Sequence, residues 1–329
     1  MKLLTKSGFI VGLMMASIAS YAAYVPSIIN PEFAVFTSDP QYPWTDKTDA
    51  GVEESDSEQQ ARSRTLIESQ YSDIAHFRKS RPWMEVPVMI NGDITAYGHG
   101  WQRSYIRSVQ KKYFGSDFVY GLGNHDYENL DCFSASCAAG SITDFEEHHR
   151  DKVGSFDLKI SGPFFNKLYS GSLAWSRDVG DVHFVQLNNE PTYSDRISHP
   201  LNPTTFEITD SLDWLEQDLK TARAKGQIIL LNMHKPGYWK GDSEQVTRFR
   251  KIIADNKVTA VFAGHLHEDA GGFQGGYYFG DVPLFLSGAA SQQTYLIASF
   301  SQDRKSMTVD LVKGNHWPSR TFVATVAVR

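Results

Sequence analysis

The stretch Val258–Glu268, VTAVFAGHLHE, decides how the rest of the chain is read. An apolar run with β-branched residues ends at Gly264 and then delivers two imidazoles, His265 and His267, with one residue between them. A strand sends alternate side chains to opposite faces, whereas a loop leaving the strand can turn both rings toward one point. Such a pair either hydrogen-bonds locally or holds a metal ion. The choice depends on whether other strand ends bring ligands to the same place.

Working outward, four more apolar runs end in the same manner. Phe33 to Thr37 ends at Ser38-Asp39, Val86 to Ile90 at Asn91-Gly92-Asp93, Phe118 to Leu122 at Gly123-Asn124-His125-Asp126, and Ile228 to Met233 at His234. Functional groups in open α/β sheets gather beyond the carboxyl ends of strands, so five endings of this kind can converge. Singly, each has a plainer reading: Asp39 and Asp93 as turn residues, Asn124 as a left-handed turn residue, His234 as a satisfied histidine before Pro236. Together they offer oxygen and imidazole without thiolate. That donor set suits Mn, Fe or Zn better than a structural zinc cage, and Mg or Ca only if oxygen dominates. Asp93, on a Gly-preceded turn where backbone can approach closely, is the natural bridging carboxylate. Two cations about 3.5 to 4 Å apart lower the pKa of a bridging water and clamp a phosphoryl oxygen.

Helical spacing is predicted between the strands over about 57–79, over 101–114 with Trp101, Tyr105, Val109 and Tyr113 on one packed stripe, over 209–224 with Thr209 or Asp210 as its cap, and over 243–255, and β patterns return at about 283–287, 294–300, 306–312 and 321–328. This order predicts an α/β sandwich of two sheets flanked by helices. A long segment, about 127–180, reads as a cap insertion into a single domain over 23–329, and 191–207 reads as a Pro-rich loop. The insertion's aromatics, among them Phe133, Phe145, Phe164, Phe165 and Trp175, suit either the rim of a binding site or the core of a cap.

The chain has 329 residues, 41% hydrophobic content and a formal net charge of -6, so it can bury a sizeable core. Lys2 and Lys6 precede an apolar segment from Gly8 to Ile18, and Ser20-Tyr21-Ala22 fits a small-x-small cleavage site. Residues 1–22 are therefore expected to be a signal peptide, with an exported, periplasmic or extracellular product that has no stable membrane insertion after cleavage. A retained anchor is the alternative. Loss of the two lysines takes the charge to about -8, which argues against a nucleic-acid polymer as partner. Cys132 and Cys137 are the only cysteines. In an oxidising compartment a disulfide is the first reading, ahead of a metal site, because no second Cys or His pair completes a thiolate set by spacing.

On these residues the chain resembles the calcineurin-like metallophosphoesterases, whose motif series is D-x-H, G-D, G-N-H-D/E, a later His and G-H-x-H. Here the series reads Asp39-Pro40-Gln41, Gly92-Asp93, Gly123-Asn124-His125-Asp126, His234 and Gly264-His265-Leu266-His267. The resemblance implies a four-layer αββα sandwich of two mixed sheets and a metal-dependent hydrolase. Its substrate would be a small phosphomonoester or phosphodiester, attacked by a metal-bridging hydroxide. It implies two divalent or trivalent ions, one held by Asp39, Asp93 and His267, the other by Asp93, Asn124, His234 and His265. His125 would then stabilise the phosphoryl group and protonate the leaving alkoxide, with Asp126 orienting its ring. One position departs from the series. Gln41 stands where the family has His, and a neutral amide oxygen is a weaker donor than imidazole. A binding module that has lost catalysis is the alternative that this departure raises. The later Gly314-Asn315-His316 joins no motif and reads as a turn.

Overall fold

The five apolar runs are strands of two facing sheets. The structure is a computed structural model that describes residues 30–116, 118–129 and 132–329; the expected signal peptide lies outside the described residues. In the first sheet, Phe33–Thr37 pairs parallel with Val88–Ile90 and antiparallel with Thr294–Phe300. Val119–Tyr120 closes one side, and Ser306–Lys313 and Thr321–Ala327 extend the other, giving six strands. In the second, Ile228–Asn232 lies parallel to Val182–Gln186 and Ala260–Ala263, with Leu284–Ser287 parallel beyond. Antiparallel strands, including Ala270–Phe273 and Trp175–Val179, finish that seven-stranded sheet.

Side-chain alternation sorts the strands of the second sheet between two cores. Phe184, Leu230, Phe262 and Phe285 belong to the core between the sheets, where Phe36 stacks on Phe262 with ring centroids 3.5 Å apart. Their chain neighbours Val185, Ile229, Leu231, Val261 and Ala263 pack instead with Leu215, Leu219, Phe249 and Ile253 of the helices Leu212–Ala224 and Ser243–Asp255. The helices Asp56–Lys79 and Gly100–Phe114 cover the first sheet through Ile67, Tyr71, Ile74 and Ile106. Gln70 stitches that layer down: it accepts from Thr37 Oγ1 at 2.9 Å and donates to the Thr294 carbonyl at 2.8 Å. The result is the four-layer α/β/β/α arrangement. Truncating a large ring at its centre, such as Phe36 or Phe262, would cost roughly 3–5 kcal/mol.

Local expectations differ in three places. The Gly100–Phe114 helix buries Gln102, Ile106, Val109, Gln110 and Phe114, while Trp101, expected on the packed stripe, is 49% exposed. Neither Thr209 nor Asp210 caps the next helix; Ser211 holds that position, and Asp210 Oδ1 accepts the Leu212 N–H at 3.1 Å. The segment read as a Pro-rich loop forms strands. Asp195–His199 and Asn202–Ile208 join Lys159–Ser161 and Leu168–Gly171 in a separate four-stranded sheet, while Trp175–Val179 belongs to the main sandwich. Proline is tolerated there because Pro203 lies beside an irregularity in the pairing. The aromatics of this region divide: Phe145 and Trp175 are fully buried, and Phe133, Phe164 and Phe165 are exposed. Cys132 and Cys137 are joined by a disulfide, Cα atoms 5.7 Å apart.

Candidate metal centre

Each strand end turns sharply to deliver its ligand. Asp39, Gln41, Asp93 and His265 all adopt positive φ, between 38° and 70°. Non-glycine residues rarely take that conformation, and it recurs where surrounding structure holds a site in place. Glycine serves where loops must touch. A Cβ on Gly264 would fall on Ser38 and Asp39, and one on Gly123 would fall on the Asp93 carboxylate. Backbone bonds tie the turns together: Asp39 N donates to the Gly92 carbonyl at 3.2 Å, Gln41 N to the Asp93 carbonyl at 2.9 Å, and Gly264 N to the His234 carbonyl at 3.0 Å.

His234 is the hub of the better-formed half. It is fully buried. Its Nδ1 is 2.9 Å from the Asn91 carbonyl, and its Nε2 lies 3.0 Å from Asp93 Oδ2, 3.2 Å from Asn124 Oδ1 and 3.2 Å from His265 Nδ1. A carbonyl on Nδ1 fixes the tautomer that presents the Nε2 lone pair, which is how a ligating imidazole is oriented. Asp93, His234 and His265 place one ligand atom each within 4.8 Å of one another. Without a cation, burial works against a charge on His234, but Asp93 and Asp39 overcome it and raise the ring to about 9. Burial, then the His234 charge, pushes His265 down to about 4. A proton on His234 thus does the electrostatic work that a cation would do.

The other half is organised differently. His267 Nε2 is 3.2 Å from Asp39 Oδ1, and its Nδ1 is 2.6 Å from Asp49 Oδ1. Burial opposes protonation of His267, yet hydrogen bonds to the two carboxylates raise it to about 10. Asp39 shows the converse: burial raises it, but His234 and His267 prevail and hold it at about 2. Gln41 is buried and neither atom of its amide has a hydrogen-bond partner. An unpartnered buried amide costs roughly 1–3 kcal/mol, so it marks a place where another group belongs.

A further carboxylate, Asp49, joins this half of the centre. It ends the short helix Asp46–Asp49 within the polar stretch after the first strand, where nothing in pattern or spacing distinguishes it from its neighbours. Four donors converge on its carboxylate: His267 Nδ1, Trp44 Nε1 at 2.6 Å, Ser291 Oγ at 2.6 Å and Gln292 Nε2 at 2.7 Å. Two come from about residue 291, far along the chain. Trp44, so anchored, places its ring edge-on to both His125 and His267, at 5.5 and 5.9 Å.

His125 and Asp126 require a correction. Asp126 does not orient the His125 ring. Its buried carboxylate accepts from the backbone N–H groups of Gly123, Ile94 and Thr95 at 3.0–3.3 Å, fastening two strand ends together. Burial and the Asp93 charge still raise it to about 7. The partner of His125 Nδ1 is the Ala96 carbonyl at 2.8 Å, and the His125 N–H donates to Asp93 Oδ1 at 2.9 Å. An Asp one residue after a His in a helical turn points away from that ring, so sequence adjacency misleads. Asn188 accepts from Leu122 N at 2.7 Å and donates to the Leu173 carbonyl. His99 lies against the disulfide, not among the centre's ligands.

The structure thus gathers possible metal ligands, Asp93, Asn124, His234 and His265 on one side and Asp39, Gln41 and His267 on the other. Solved structures similar to this chain include a predicted phosphoesterase from Streptococcus pneumoniae TIGR4, at 9% identity and TM-score 0.36, covering 90% of this chain and 97% of that one. Vps29 of Chaetomium thermophilum is similar at 8% identity and TM-score 0.32, covering 91% and 97%. Among curated proteins none matches the chain. The model of the calcineurin-like phosphoesterase family matches residues 35–269, spanning every ligand described above, and the chain belongs to that family.

Proposed function

We propose that this chain is an exported, metal-dependent phosphoesterase that hydrolyses a small phosphomonoester or phosphodiester. The observation that carries the reading is the meeting of Asp93, Asn124 and His265 around His234 Nε2, with His125 held to Asp93 beside them. Bound there, two divalent cations supply Lewis acidity toward a phosphoryl oxygen and a water nucleophile at neutral pH. The chain's own residues do the rest. Asp93 fixes the His125 backbone, and the Ala96 carbonyl occupies Nδ1, so Nε2 is the nitrogen that exchanges a proton with the departing alkoxide. Trp44 walls the space between His125 and His267. Export is supported by the charged and apolar pattern of residues 1–22 and by the Cys132–Cys137 disulfide. Among the described residues no helix is long and apolar enough to cross a membrane.

Gln41 favours one other reading, a binding module on the same scaffold without turnover. Assay of protein loaded with Mn2+, Fe2+ or Zn2+ on p-nitrophenyl and bis-p-nitrophenyl phosphates, alongside His125→Ala, separates them. Turnover that collapses in the variant is expected. No turnover with any of the three metals would leave the binding module.

A further inference from the structure

A second cluster of metal-ligating side chains lies outside the phosphoesterase centre. His99 Nδ1 is 3.4 Å from the Sγ of Cys132 and 3.4 Å from the Sγ of Cys137, and the three ligand atoms all fall within 4.8 Å of one another. Spacing in the chain conceals this set, because His99 comes from a different loop, over thirty residues before the cysteines.

The loops that carry the three residues are held by bonds that do not involve sulfur. Asn129 Oδ1 accepts the N–H groups of Cys137 and Ala138 at 3.2 and 3.4 Å, and Asn129 Nδ2 donates to the Cys132 carbonyl at 3.1 Å. Gln102 Oε1 accepts from both Tyr97 N and His99 N at 3.2 Å, fixing His99 at the start of the Gly100–Phe114 helix. Gly98, at φ 71°, lets that loop pass close to Cys137: an added Cβ would stand 3.2 Å from the Cys137 Cβ. Breaking the disulfide therefore leaves both sulfurs beside the imidazole. His99 and Cys132 are partly exposed, which gives an ion a route in.

We propose that reduction of the Cys132–Cys137 disulfide converts this cluster into a Cys2His site for zinc. A phosphine or a thiol reductant supplies the two electrons: the S–S bond breaks and two thiols form, with one water giving its oxygen to the phosphine as the oxide and its protons to the thiols, or with two reductant thiols giving up their protons and leaving as their disulfide. Each thiol then gives one proton to solvent as its sulfur binds the ion. Two thiolates neutralise Zn2+, His99 Nδ1 adds a third donor, and a fourth position stays open to solvent. Thiolate with imidazole suits zinc, whereas the phosphoesterase centre has no sulfur. The proposal stands independently of the phosphoesterase reading.

Cobalt reports on the site selectively, since only thiolate ligands give a sulfur-to-cobalt charge-transfer band. The full chain, titrated with Co2+ before and after treatment with a water-soluble phosphine, should show that band only after reduction, with the final intensity of one thiolate-bound Co2+ per chain, and Zn2+ should displace it. Cys132→Ser should abolish it, and His99→Ala should weaken Co2+ binding at least about tenfold. Zn2+ should also slow alkylation of both cysteines by iodoacetamide in the reduced, unsubstituted chain, a readout that needs no variant to fold. A reduced chain without the band, unaltered affinity in His99→Ala, or alkylation indifferent to Zn2+ would overturn the proposal.

Discussion

The two halves of the metal centre use the same residue types to different ends. Around His234, one carboxylate, one amide and two imidazoles point their donor atoms at a common space, and a backbone carbonyl sets the tautomer. Around His267, the ring is held between two carboxylates while the Gln41 amide is left without a partner. The first half is arranged for a cation before one arrives. Both must give up a ring proton for the cation, His234 from beside Asp93 and His267 from between Asp39 and Asp49, and the second half does so with a weaker donor in the set. Unequal affinity follows: the His234 half should bind tightly, and the His267 half loosely and depend on Asp49.

The largest effect that could break this comparison is loss of the hub. His234→Ala should eliminate the tightly bound equivalent, seen by elemental analysis after dialysis, and with it all measurable turnover. Next comes His125→Ala, which should lower kcat roughly 100- to 10,000-fold while both metal equivalents stay bound. A variant that lost metal as well would show that His125 acts through the ligands. Asp49→Asn separates the halves: calorimetric titration should find the weaker site loosened about 10- to 100-fold and the tighter one unchanged. In the other direction, Gln41→His should tighten the weaker site about tenfold or more, since imidazole replaces an amide and His tolerates the positive φ of that position.

His183 supplies the contrast at the scaffold. Its Nδ1 is 2.6 Å from Asp178 Oδ1 and its Nε2 2.8 Å from Asp218 Oδ2, so no nitrogen is left for a metal. Burial works against its charge, but Asp218 and Asp178 together raise the ring above its ordinary value. The stabilisation is fully present below the unfolded pKa of about 6.5 and is lost as pH rises through the higher folded one. Relative to His183→Gln, the wild-type advantage in Tm should therefore be greatest near about pH 6 and shrink toward about pH 9. A constant advantage would show that the ring contributes by packing alone.

Much of this centre was legible from the chain alone. Continuous apolar runs ending in Asp39, Asp93, Asn124, His234 and His265 set out both the sheets and the ligands, because a strand end projects its last polar side chain beyond the sheet. What the sequence hid depends on pairing across long separations. Asp49 is one acid among several in a polar stretch until Ser291, Gln292 and His267 close on it. The partner of His125 Nδ1 is a main-chain carbonyl, which has no sequence signature, and Asp126, adjacent to His125 in the chain, points away from its ring in space. The four-stranded sheet escaped notice because its prolines and exposed polar residues lack the apolar alternation of a buried strand.

The inequality of the two halves is tested most directly by anomalous scattering from crystals of the protein soaked in Mn2+. The account predicts two peaks about 3.5 to 4 Å apart, the stronger among Asp93, Asn124, His234 and His265 and the weaker beside Asp39, Gln41 and His267. Two peaks of equal occupancy at limiting Mn2+, or a single peak on the His267 side, would contradict it.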